Sequence, residues 1–305
     1  MCSTAETLLN SKAGNSQIEC PLFNILPGKI RSKIFVLALI QCEDHKAAFS
    51  MGSFWCRPWF AKPHKNSSAL LCTCKLAYQE GKKIFLKEIE WPFWFDRGPP
   101  SRSGSDACTT FFRNLSAKDV QDLEKVRFFT QMYWLENGHN LNAIFRESNF
   151  RPTCLTITIR YSDWWFWETN KPLQMSEKWL CNFEGSPGLR ELRVEYETLS
   201  EKKEEMMKIV ERNKKWKLAL AGGAKGYLSA EGTELTEWKW KGPGKMAEID
   251  WANDRVIELA DYIVVIDTWR HIEGPIKTIE YKFQDSDRDS DCSFSDDDFF
   301  GLQNS

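Results

Sequence analysis

Ten cysteines and four histidines are the side chains in this 305-residue sequence best suited to metal ligation or nucleophilic chemistry. Their spacing favours neither. The cysteines stand at positions 2, 20, 42, 56, 72, 74, 108, 154, 181 and 292, without a C-x-x-C pair. Cys72 and Cys74 with Cys56 or His64 come nearest to a zinc set, but C-x-C is a poor spacing for a closed tetrahedral site. Reduced, scattered thiols are the expectation. His45, His64, His139 and His271 lie far apart, and neither G-x-S-x-G nor H-E-x-x-H occurs. Gly28-Lys29, Gly81-Lys82 and Gly244-Lys245 are followed by Ile, Lys and Met, so the Ser or Thr of a phosphate-binding loop is missing. These patterns predict a protein that is not an enzyme and needs no metal or cofactor.

Two further segments could act by recognition. Asp285, Asp287, Asp289 and Asp291 alternate as in an EF-hand loop, but Ser290 occupies the position that requires glycine. Ser286, Ser293 and Ser295 each precede an Asp by three residues, a pattern suited to phosphorylation by an acidophilic kinase. Trp164, Trp165, Phe166 and Trp167 follow a predicted strand. Neighbours on an extended strand point to opposite faces, so at least one tryptophan should be exposed or lie in an interface. Trp164, Trp165 and Trp167 are the candidate partner-binding residues, unless helices cover both faces.

The elements that must position these groups follow from periodicity. Residues 1–21 are polar and predict a disordered tail. Pro27 opens a helix to about Ile40, with Ile30, Ile34, Leu37 and Ala38 on one face. Residues 41–66 lack a period, and the cluster Trp55-Cys56-Arg57-Pro58-Trp59-Phe60 should fold back on the body. A second helix, capped by Ser67 or Ser68, carries Leu70, Leu71, Cys74, Ala77, Tyr78, Gly81, Ile84 and Phe85 as its apolar stripe. A strand at Ile89–Phe95 contains Pro92, which confines it to an edge or bulge.

After a loop at 96–106, strands around Leu123–Phe128, Leu155–Ile159 and Leu189–Val194 alternate with helices at 138–148, 176–183 and 200–220. Such alternation favours parallel strands with helices on one side. Further strands are expected at 234–241, 262–266 and 276–283. The predicted class is α+β or α/β: a helical module at 22–95, a Trp-rich strand-helix body at 107–283, and an acidic disordered tail at 284–305.

Charge and hydropathy narrow the function further. The formal charge is −2, yet the seven Asp and one Arg of residues 284–305 give −6, which leaves +4 on the remainder. That is too dilute to indicate nucleic acid. The longest apolar run, Ile34–Ile40, is far short of the roughly 20 residues of a membrane span. No secretory signal is read in the first twenty residues, so a cytoplasmic or nuclear location is expected. The 14 tryptophans against 7 tyrosines point to aromatic packing, an aromatic ligand surface, or both.

Two segments carry a resemblance. Leu26-Pro27-Gly28-Lys29-Ile30-Arg31 and Leu70-Leu71-Cys72-Thr73-Cys74-Lys75, running on to Glu80-Gly81, resemble fungal F-box-like proteins with L-P-x-E-I-R and L-L-x-x-C-R-x-x-x-x-E-A segments. Lys29, Lys75 and Gly81 depart from the pattern, and the segments are separated by an insert. The strand-helix units that follow are similar to the irregular leucine-rich-like regions of such proteins. The resemblance implies a substrate-recognition subunit of a cullin-RING ubiquitin ligase. Leu26, Pro27, Ile30 and Ile34 would meet a Skp-type adaptor, and the body would hold a protein substrate. The alternative is a stand-alone interaction or scaffold protein, in which the same four residues are only core between two helices.

Overall fold

The computed structural model describes residues 20–44, 46–50, 53–66, 68–99, 103–222, 225–244 and 259–274. The expected acidic tail, its candidate phosphorylation sites Ser286, Ser293 and Ser295, and the strand expected at 276–283 lie outside the described residues. So do residues 1–19 of the tail expected at 1–21, whose last residue, Pro21, opens a turn of helix instead.

The fold is mixed α+β. A short turn of helix, α1 (Pro21–Asn24), leads into α2 (Gly28–Ala38). A two-stranded ribbon, β1 (Gln41–Glu43) and β2 (His64–Asn66), brackets the insert. A 3-10 turn at Ser68–Cys72 then precedes α3 (Lys75–Glu88). Cys74, rather than Ser67 or Ser68, caps α3: its Sγ accepts from the Ala77 N–H at 3.4 Å.

The face that α2 buries also differs from the sequence expectation. Phe35 and Leu39 pack with Leu71 and Ala77, whereas Ile30 and Leu37 are exposed. Arg31 explains the rotation. Its guanidinium holds Glu80 of α3 through two 2.7 Å bonds, and Nη1 donates to the Leu26 carbonyl at 2.6 Å. With Arg31 on the α3 side, Phe35 one turn later must face α3 as well. Gly81 admits this approach: a Cβ there would stand 2.5 Å from Leu71 Cδ2 and 3.1 Å from Phe35 Cδ1.

Among the described residues the body is one nine-stranded sheet. Strands β3 (Glu90–Phe95), β4 (Lys125–Thr130), β5 (Cys154–Ile159) and β7 (Glu191–Leu199) run parallel in that order. Pro92 sits in β3, at the sheet edge. The loop at 96–106 does not separate two sheets, because β3 before it pairs with β4 after it. Between the strands lie α4 (Ser105–Arg113), α5 (Ala117–Asp122), α6 (Met132–Glu136), α7 (His139–Phe145) and α8 (Lys178–Cys181).

The last described strand, β11 (Leu259–Ile272), pairs antiparallel with β7 along one side. Its other side pairs first with β10 (Thr236–Pro243) and then with β9 (Tyr227–Ser229), which leads on to β8 (Lys217–Leu220) and β6 (Glu184–Gly185).

The helix expected over 200–220 is shorter than its charge pattern suggests. It consists of a 3-10 turn and α9 (Lys203–Asn213), after which the chain becomes β8. The buried Asn213 donates to Tyr196 Oη at 3.1 Å and ends the helix against the core. Leu218 and Leu220 then alternate inward as a strand requires.

Alternation divides the sheet into two faces. On one, Phe93, Phe128, Ile157, Val194 and Val265 join residues of the flanking helices in the main core. Asp267 shares this face and is fully buried. Its Oδ1 accepts from the Thr268 N–H at 2.9 Å, while Oδ2 has no protein partner. The opposite face carries Trp94, Phe129, Thr158 and Glu195 in one paired row.

Candidate functional site

The second face is where polar chemistry is concentrated. In β7, Leu192, Val194 and Tyr196 enter the core, so Arg193, Glu195 and Glu197 must project the other way. In β4 the same rule places Arg127 and Phe129 beside them. The insert between β1 and β2 folds over this surface, as its aromatic cluster predicts. Phe60 meets Phe129 edge-on with centroids 4.8 Å apart, and Phe129 stacks on Trp94 at 4.9 Å. Arg160 secures the insert, since its Nη1 donates to the Phe54 carbonyl at 3.1 Å while Asp163 holds Nε at 2.7 Å.

Beneath the insert runs an alternating ladder of charges, Glu90–Arg127–Glu195–Arg57–Glu197. Arg127 reaches Glu90 and Glu195 at 2.6 Å each. Arg57, 4% exposed, reaches Glu195 at 3.5 Å and Glu197 at 3.2 Å, but its Nε and Nη1 have no protein partner. Thr158 Oγ1 donates to Glu195 at 3.1 Å. Burial works against the charge of Glu195, yet Arg127 and Arg57 outweigh it and hold the carboxyl below its usual range. At the inner end burial prevails, pushing the Glu197 carboxyl up against the opposing charge of Arg57. The same ladder therefore contains one firmly ionised acid and one that resists ionisation.

Against the ladder opens a cavity of about 460 Å³. Its wall includes Glu43, Arg57, Trp59, Phe60 and His64 from the ribbon and its insert, with Glu90, Arg127, Glu195 and Trp238 on the sheet side. Trp59 is 76% exposed and has a left-handed backbone, φ 69°. His64 Nδ1 lies 2.9 Å from Gln41 Nε2, and Nε2 meets the Trp59 carbonyl. The arrangement offers planar hydrogen-bonding groups, flat aromatic surface and a surplus of carboxylates, which suits recognition of a polar ligand.

The residues singled out from the sequence lie elsewhere. Leu26 and Ile34 are half-buried, and Pro27 and Ile30 are exposed at the start of α2. Trp164 and Trp167 are in the core, and Trp164 Nε1 donates to the Glu197 carbonyl at 2.8 Å. Trp165 is half-buried and donates to Glu136 at 2.9 Å. The most exposed member of that run is Phe166, at 45%. The strand geometry that would push a tryptophan outward is absent there: the segment folds as 3-10 turns joined by a left-handed Phe166, φ 56°.

Among the described residues, no group of three His, Cys, Asp or Glu side chains could hold a metal ion, so Cys72 and Cys74 do not assemble one with Cys56 or His64. Burial raises the thiol of Cys154 to about 11 and pushes Cys56 and Cys108 up, which disfavours the nucleophilic thiolate. No helix among the described residues is long and apolar enough to cross a membrane. The ladder itself went unread in the sequence, although Arg193-Val194-Glu195-Tyr196-Glu197 alternates charge with apolar residues, a strand with one polar face. Comparison with known protein families, curated proteins and solved structures finds no match to this chain.

Proposed function

We propose that this chain is a non-enzymatic recruitment protein of the F-box-like kind, with α2 as the face that docks a Skp-type adaptor and the sheet as the platform for a protein substrate. One observation carries the reading. Opposite the buried Phe35 and Leu39, helix α2 presents Ile30, 43% exposed, and Leu37, 73% exposed, with Ile25 and Ile40 exposed at its two ends. A helix that buries one stripe and displays a second apolar stripe is suited to joining its own module and a partner at once.

The resemblance supports the same assignment. The arginine of the Leu-Pro segment, Arg31, and the glutamate of the second segment, Glu80, are the two partners of the bridge that fixes the orientation of α2. The parallel units that begin at Lys125, Cys154 and Glu191 fit the leucine-rich-like body that accompanies such modules.

The test is co-purification of the full-length chain with a Skp-type subunit, comparing wild type with Ile30→Asp/Leu37→Asp. Both side chains are exposed, so the variant should keep the wild-type melting temperature and lose the adaptor. Folded wild-type protein that does not bind would leave the stand-alone interaction or scaffold protein as the reading. Leu26 and Ile34 are half-buried and so offer an adaptor less surface than Ile30 and Leu37, which favours that second reading.

A further inference from the structure

The cavity under the insert is separate in composition from the apolar face of α2, and its occupant follows from its charges. Of the ladder, Glu90, Arg127, Glu195 and Arg57 line this cavity, two carboxylates against two guanidinium groups. Glu43 adds another carboxylate to the wall, with one oxygen accepting from the Ala61 N–H at 3.2 Å. His64 can satisfy both ring nitrogens without a charge, accepting from Gln41 and donating to the Trp59 carbonyl. Such a wall repels an anion and attracts a cation.

The aromatic groups point the same way. The structure's own guanidinium groups already lie over ring faces here, Arg57 at 5.8 Å from the Trp238 centroid and Arg127 at 5.7 Å from that of Phe60. Trp59 lines the same cavity with its indole in solvent, and a tryptophan held exposed in a left-handed conformation adds little to the core. Arg57 supplies the remaining requirement. It lines the cavity, and its Nε and Nη1 are buried without a protein partner; a peptide carbonyl that reached them would supply the missing acceptor.

We propose that this cavity binds a lysine or arginine side chain of a partner peptide, with the cation against the indoles of Trp59 and Trp238 and near Glu43 and Glu90. The volume, about 460 Å³, falls within the roughly 300–1,000 Å³ of ligand pockets and suits one basic side chain with its adjoining main chain. The proposal goes beyond adaptor docking and does not depend on it.

The experiment titrates full-length protein with three capped pentapeptides that differ only in a central arginine, lysine or glutamine, read by tryptophan fluorescence and calorimetry. The two cationic peptides should bind at least tenfold more tightly than the glutamine peptide. Trp59→Ala and Glu43→Gln should each weaken them at least fivefold. Both variants should keep the wild-type melting temperature, since Trp59 is exposed and the glutamine carbonyl still accepts from Ala61. Equal affinity for the glutamine peptide, no binding of the cationic peptides at millimolar concentration, unchanged affinity in Trp59→Ala, or preference for a neutral oligosaccharide such as chitohexaose would overturn it. Adaptor is absent from this assay, so its failure leaves the recruitment reading untouched.

Discussion

Asp267 is a carboxylate placed where the sheet packs against its helices, and it should set part of the protein's pH response. Burial raises it to about 6, with Lys214 and the Thr268 N–H opposing. The folded state thus holds a proton that the unfolded chain, near 3.8, gives up more readily. Stability from this site is full below the unfolded value and declines as pH rises through about 6. Asp267→Asn should remove that decline and stabilise the protein at pH 8 by up to about 3 kcal/mol. Denaturant midpoints of the two proteins from pH 4 to 8 measure the difference, and parallel curves would refute the assignment. The sequence contains no cue to this behaviour. Asp267 stands in an apolar strand pattern, and only the pairing of β11 reveals that it faces the core.

At the scale of elements, the contact of α2 with α3 depends on a missing methyl group. The resemblance led to Ala at position 81, yet glycine occupies it because Leu71, Phe35 and Leu39 all lie within 3.3 Å of where a Cβ would be. Gly81→Ala should therefore destabilise the protein by about 1–2 kcal/mol through overpacking, despite the roughly 1 kcal/mol that alanine gains in helix propensity. Thermal melts of the variant check the sign. Elements as such were legible: α2, α3 and the strands β3, β4, β5 and β7 lie close to where periodicity put them. Orientation was less so. Ile30, Ile34 and Leu37 form a stripe as regular as Phe35 and Leu39, and the sequence alone does not say that Arg31 and Glu80 choose between them. The site was hidden for a related reason. Its residues come from β3, β4, β7, β10 and an aperiodic insert, and only the pairing of the sheet makes them neighbours.

For the whole molecule, β11 is the strand on which both parts of the sheet depend. It pairs with β7 on one side and with β10 and β9 on the other, and Ile263, Val264 and Val265 are buried. Amide hydrogen exchange should place residues 263–265 among the slowest to exchange. The edge strand β3, which among the described residues has β4 as its one neighbouring strand and no N–H at Pro92, should exchange faster. The opposite order would show that the two parts unfold independently. The position of β11 in the chain has a consequence for biosynthesis. A ribosome completes β3, β4, β5 and β7 well before β11 emerges, since β7 ends at Leu199 and β11 begins at Leu259. During that interval β7 offers an open edge to any other extended chain. Nascent or truncated chains that stop short of Leu259 should therefore be the aggregation-prone species, and a chaperone that shields strand edges should act on them before release.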